Sequence, residues 1–72
     1  MTLCNCLKEI RVLKGLTQES LASAVGVTRQ TVIAVEKGKF SPSVKLALEF
    51  ASALETPLDR VFWLEETIGG KA

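Results

Sequence analysis

The chain contains no histidine and no tyrosine, which removes the commonest general acid–base side chain and the phenolic proton donor from its repertoire. It shows no nucleotide-binding glycine pattern and no group of facing carboxylates able to act together, so an enzyme is not expected. Its only cysteines are Cys4 and Cys6, and with no histidine or third cysteine to complete a ligand set, neither a metal nor another cofactor is expected. No run approaches the ~18 consecutive apolar residues of a membrane span. The N-terminus, MTLCNCLKEI, lacks a basic segment followed by an apolar stretch, so no secretory leader is expected and the location is taken as cytoplasmic.

A large charge excess is missing as well, the net charge being only +1. The distribution is more informative than the total. Residues 1–45 carry seven basic against three acidic side chains, a net +4, and residues 46–72 carry two against five, a net −3. An electrostatic field suited to a polyanion is therefore local to the first half. Seventy-two residues support one domain, and such a domain buries only about 60% of the surface its unfolded chain exposes, which makes it marginal alone. With 47% hydrophobic residues, some apolar surface is expected to be covered by a partner.

What the chain does contain is concentrated in residues 17–37, TQESLASAVGVTRQTVIAVEK. Gly26 interrupts a helical pattern, and glycine reaches the left-handed angles at which a helix can stop. Thr17 and Thr28 each precede a run of helical apolar spacing and are suited to cap the unpaired amides of a first turn. The spacing predicts helices over about 17–25 and 28–36, sharing an interior of Leu21, Val25, Val27, Val32 and Val35, with Ala22 small enough for close approach. Advancing roughly 100° per residue from Thr28 turns Val32 and Val35 inward. Gln30, Ile33, Ala34 and Lys37 fall on or near the opposite side, with Arg29 at its edge. A forked donor and an amide then stand at a helix N-terminus, where a helix in a DNA major groove presents its base-contacting residues.

At these residues the chain resembles the Cro/C1-type helix-turn-helix family of transcriptional regulators. The resemblance runs from about Leu7 to about Leu64 and is densest in GLTQESLA, VGVTRQTV and EKGKFSPS. It implies an all-α, five-helix, lambda-repressor-like domain. It also implies that Arg11 pairs with Glu36, that Gln18 contacts a backbone phosphate, and that the basic residues after the second helix, Lys37 and Lys39, reach phosphates. The last two could equally serve the helix dipole.

The remaining helices are expected at about 4–14, 43–54 and 57–65, with a frayed tail over 67–72. In the first, Leu7, Ile10 and Leu13 or Val12 should point inward, and Gly15 should end it. Cys4 and Cys6, two apart on that helix, would point to roughly opposite sides, poor geometry for bridging each other. Reduced thiols are expected, the alternative being a disulfide between two chains. Phe40 is expected to plug the core beneath the loop after Gly38. Ser43 should cap the fourth helix, whose inner stripe is Leu46, Ala47, Phe50, Ala51 and Leu54. Pro57 should sit in the first turn of the fifth, behind a Thr56 cap. Leu58, Val61, Phe62, Trp63 and Leu64 are too many for one inward stripe, so Leu58, Val61, Phe62 and Trp63 are expected to form a homodimer interface.

The functional expectation is a sequence-specific DNA-binding regulator, a repressor, that reads two half-sites of double-stranded DNA as a homodimer. Arg29 and Gln30 should contact base edges, with Thr28 beside them and Ile33 packing on thymine methyls; Ile33 could instead be simply exposed or face a protein. Gln18, Thr31, Lys37 and Lys39 should contact the DNA backbone. The alternative function is an antitoxin that neutralises a partner toxin and binds its own promoter, since such proteins share the fold.

Overall fold

Hydroxyl caps decide where the three central helices begin. The computed structural model describes residues 1–66. Strand β1 (Thr2–Asn5) is followed by helices α1 (Leu7–Leu13), α2 (Gln18–Val25), α3 (Arg29–Glu36), α4 (Val44–Ala53) and α5 (Leu58–Val61), and by strand β2 (Phe62–Glu65). Thr17 Oγ1 accepts from the Ser20 amide at 3.0 Å while the Ser20 hydroxyl accepts from the Thr17 amide at 2.9 Å, a reciprocal capping box. Thr28 Oγ1 accepts from the Thr31 amide at 3.3 Å, and Ser43 Oγ from the Leu46 amide at 3.1 Å. Between α2 and α3 the backbone turns at Gly26, φ 76°, with the Val27 amide closing back on the Ala22 carbonyl at 3.0 Å.

The chain is not all-α. β1 and β2 pair antiparallel, Thr2 opposite Glu65, Leu3 opposite Leu64, Cys4 opposite Trp63 and Asn5 opposite Phe62. Strand alternation puts Leu3, Asn5, Phe62 and Leu64 on one face and Thr2, Cys4, Trp63 and Glu65 on the other. Five apolar residues in seven overfill a helical stripe, and the fold resolves that surplus by switching to a two-residue period: α5 stops at Val61, Phe62 turns into the core, and Trp63 turns away. The helix expected over 57–65 is thus four residues long, and the one expected over 4–14 begins at Leu7.

Several inward assignments change with it. Val12 is 59% and Leu13 84% exposed, because Leu7, Ile10 and Arg11 take the inner side of α1 and a residue six positions after Leu7 falls away from it. Phe40 is 48% exposed and plugs nothing. Pro57 is the N-cap of α5, not its first-turn residue, and Thr56 donates its hydroxyl backwards to the Leu54 carbonyl at 2.9 Å instead of capping. The tail expected over 67–72 lies outside the described residues. The core itself is built from Leu7, Leu21, Ala22, Val32, Val35, Leu46, Phe50, Ala51, Leu54, Val61 and Phe62, with the Phe50 and Phe62 rings 6.4 Å apart and tilted by 39°. It joins α2, α3 and α4 to Leu7 of α1 and to Val61 and Phe62 at the junction of α5 and β2. Among the described residues no helix is long and apolar enough to cross a membrane.

Among the described residues four helix ends use left-handed geometry, three at glycine and the fourth at Glu55. Gly26 has open space where a Cβ would stand, so its only obstacle to substitution is φ. Glu55 already bears that cost at φ 52° after α4. In urea unfolding, Gly26→Ala should lose about 1–2 kcal/mol, whereas Glu55→Gly should gain up to about 1 kcal/mol, less the greater freedom of glycine in the unfolded chain.

Candidate nucleic-acid interface

The last turn of α3 is where the site is anchored. Arg11 Nε donates to Glu36 Oε2 at 2.7 Å, Nη2 to Oε1 at 3.5 Å, and Nη1 to the Leu16 carbonyl at 2.9 Å. Both charged side chains are at least nine-tenths buried. Glu36 Oε1 also accepts from Gln18 Nε2 at 3.2 Å, and Gln18 Oε1 in turn accepts from Arg29 Nε at 3.3 Å. A continuous relay, Arg11–Glu36–Gln18–Arg29, therefore runs from α1 through α3 and α2 back to the first residue of α3.

The relay borders an open cleft of about 500 Å³ lined by Arg11, Leu16, Thr17, Gln18, Glu19 and Arg29. Arg29 and Gln30 are exposed at the start of α3, and Lys37 and Lys39 are exposed beyond its end. Arg29 has one of its five N–H donors committed to Gln18, and Gln18 has one of its two amide hydrogens committed to Glu36. Each retains donors for an incoming acceptor. Thr28 and Thr31 hydroxyls lie 3.2 Å apart and share a hydrogen bond, so each is partly engaged within α3. Ile33 and Ala34, assigned to the outer side by helical phase, are half-buried. The outward surface is accordingly narrower than the phase alone implies and is weighted toward Arg29 and Gln30.

The residues assigned to a dimer interface separate into two groups. Val61 is fully buried and Phe62 is 8% exposed, both inside the protomer's own core; neither is available to a partner. Leu58 and half-buried Trp63 remain at the surface, and they line an apolar groove of about 240 Å³ with Leu3, Pro42, Val44, Ala47, Phe62 and Leu64. Trp63 Nε1 donates to Glu65 Oε2 at 2.8 Å on the other face of the sheet.

The thiols sit apart from this surface. Cys4 lies on β1 and Cys6 just before α1, where its Sγ donates to the Arg60 carbonyl at 3.0 Å. Desolvation first, then the negative charge of Glu65, pushes the Cys4 thiol above its ordinary range; desolvation and Glu9 do the same at Cys6. Neutral thiols are poorer nucleophiles than thiolates, which weighs against easy oxidation. Among the described residues no group of three potential ligands could hold a metal ion.

Local signals in the sequence lead to the caps and to the exposed pair on α3. They do not lead to the Gln18–Arg29 bond, which spans eleven residues, nor to Asn5, whose amide reaches the Val35 carbonyl thirty residues away.

Comparison with known proteins agrees with this geometry. A helix-turn-helix family model matches residues 7–61. The HTH-type transcriptional regulator YgzD of Bacillus subtilis is 52% identical over 62 residues, covering 86% of this chain and 94% of that protein. An HTH-type transcriptional regulator of Methanocaldococcus jannaschii is 48% identical with the same coverage of both. Among solved structures, the restriction-modification controller protein C.AhdI from Aeromonas hydrophila superposes with a TM-score of 0.71 at 39% identity, over 75% of this chain and 78% of that one.

The relay generates a stability test. Arg11→Met leaves Glu36 buried and unpaired, and should cost about 3–5 kcal/mol in urea unfolding. The double variant Arg11→Met, Glu36→Leu removes both charges and should recover most of that loss. A double variant no more stable than the single would mean that the lost packing of Arg11, not the stranded charge, sets the cost.

Proposed function

This chain belongs to the Cro/C1-type helix-turn-helix family of DNA-binding transcriptional regulators, and from that premise we propose that it is a homodimeric, sequence-specific repressor that covers promoter DNA at a two-half-site operator. The observation that carries the reading is the pair Arg29 and Gln30, exposed at the N-terminus of a helix whose opposite side is locked into the core and whose last turn is held by a buried ion pair. Such a helix is a rigid mount for side chains in a major groove. Arg29 suits the two acceptors of guanine, and Gln30 the acceptor–donor pair of adenine. Ile33, half-buried, offers its remaining surface to a thymine methyl, with Thr28 beside it. Gln18, Thr31, Lys37 and Lys39 supply backbone contacts that position the protein without carrying sequence information.

Pairing supplies the second half-site. The groove formed by Leu3, Pro42, Val44, Leu58, Trp63 and Leu64 gathers large apolar side chains around the end of the sheet, on a chain small enough to gain much from covering them. A second copy meeting this face about a two-fold axis would bury the same residues from both sides. Val61 and Phe62 support that face from beneath. Two recognition helices would then enter successive major grooves about 34 Å apart.

Selection from a random duplex pool at fixed salt tests the whole reading. A palindromic motif with half-sites about ten base pairs apart is expected; no enrichment, or a single asymmetric site, would refute it. Gln30→Ala should then lose preference at one position in each half-site, at a cost of about 1–3 kcal/mol per contact. An unchanged motif would remove Gln30 from the readers.

Leu64→Glu places a charge in the groove at an exposed position, where folding tolerates it. It should sediment as a monomer and bind the operator more weakly, and a variant that remains dimeric would move the interface elsewhere.

A further inference from the structure

Asn5 stands at a junction between two parts of the molecule. Its backbone ends β1 opposite Phe62. Its side-chain oxygen accepts from the Leu7 amide at 3.0 Å, satisfying an unpaired donor at the start of α1, while its Nδ2 donates to the Val35 carbonyl at 3.0 Å. A backbone N–H can only donate and a carbonyl can only accept, so one orientation of the amide satisfies both partners. The Val35 carbonyl also accepts from the Gly38 amide at 3.0 Å. Asn5 thus uses its second lone pair, and the bond adds to the helix termination already present.

Glu36 and Val35 are consecutive residues gripped from different sides. Glu36 is tied to α1 and α2, inside the helical body, by Arg11 and Gln18. Val35 is tied to the sheet. We propose that Asn5 is a positioning residue for DNA recognition: by fastening β1 to the last turn of α3, it fixes the angle between the recognition helix and the sheet, and so the half-site spacing that a dimer accepts. This rests on the homodimer reading above, in which the sheet and its adjoining groove lie at the two-fold axis.

The geometry makes small angles matter. With grooves about 34 Å apart, each recognition helix lies about 17 Å from the axis, and a pivot of about 10° displaces it by about 3 Å. That is close to the rise of about 3.4 Å for one base pair. A fastening at the end of α3 that meets the sheet therefore acts on spacing without touching DNA.

Asn5→Asp separates the two bonds. The new oxygen still accepts from the Leu7 amide, and its charge suits a helix N-terminus, but it sets an acceptor against the Val35 carbonyl. Asn5→Ser keeps a short acceptor for Leu7 and cannot reach α3, providing a second variant in case the first does not fold. The full chain and both variants, checked by circular dichroism and sedimentation, are titrated with duplexes carrying the selected half-site once, or twice at spacings changed by single base pairs.

The unsubstituted protein should lose about 100-fold in affinity two base pairs from its best spacing, because simultaneous engagement fails. Folded, dimeric Asn5→Asp should lose less than about tenfold over the same range, with single-site affinity within about twofold of the parent. A purely structural role would not flatten the spacing profile. A folded, dimeric variant with the parental profile overturns the proposal, and so does failure of both variants to fold, which would make Asn5 a folding residue only. A parent chain that stays monomeric, or has no preferred spacing, overturns the dimer reading beneath it and this inference with it.

Discussion

The structure depends on a buried ion pair that contributes little net stability but leaves little freedom. Arg11 takes an inward position on α1 that an apolar residue would otherwise fill, and desolvating it together with Glu36 costs about as much as their attraction returns. What the pair supplies is geometry. Each end is satisfied: the guanidinium binds the carboxylate and the Leu16 carbonyl, and the carboxylate also receives Gln18. Among the described residues no buried side-chain nitrogen or oxygen lacks a partner. Any sliding of α3 against α1 or α2 would strand a charge in the interior, so the recognition helix has one position against those two helices.

That constraint also explains where sequence and structure part on α1. Helical phase cannot tell a buried arginine from a surface one, and it treats Val12 and Leu13 as the natural inward residues. Once Arg11 is drawn to Glu36, the inner side of α1 is Leu7, Ile10 and Arg11, and both apolar neighbours face solvent. The caps were legible because their physics is local. Thr17, Thr28 and Ser43 each bond an amide three residues on, and Gly26 announces its turn by itself. The sheet was not legible, since β1 and β2 are four residues each and lie at opposite ends of the chain. Its trace was the surplus of apolar residues from Val61 to Leu64. A helical reading converts that surplus into a spare interface; the strand instead divides it between core and surface.

For the site, the exposure of the proposed readers Arg29 and Gln30 on α3 was legible from their helical positions, while their support was not. A glutamine opening α2 suggests a phosphate contact, and nothing near it in sequence points to Arg29 or Glu36. Asn5 is hidden for the same reason. Its cap on α1 is a short-range feature, yet it falls inside the stretch that periodicity assigns to a helix, and its partner on α3 is set only by the fold.

In the proposed reading, Gln18 is the member of the relay on which binding would turn. Had a carboxylate met Arg29 directly, the arginine would be held in place but its charge largely spent, since two unit charges 4 Å apart attract by about 4 kcal/mol near a protein surface. A neutral amide between Glu36 and Arg29 keeps the mechanical link and removes the direct neutralisation. The guanidinium is ordered through Nε, so less side-chain entropy remains to be lost on contact, and its positive charge stays available to a polyanion. The buried pair below fixes the helix and the amide above it fixes the side chain. Rigidity thus passes from the core to the surface of α3 without passing a negative charge along with it.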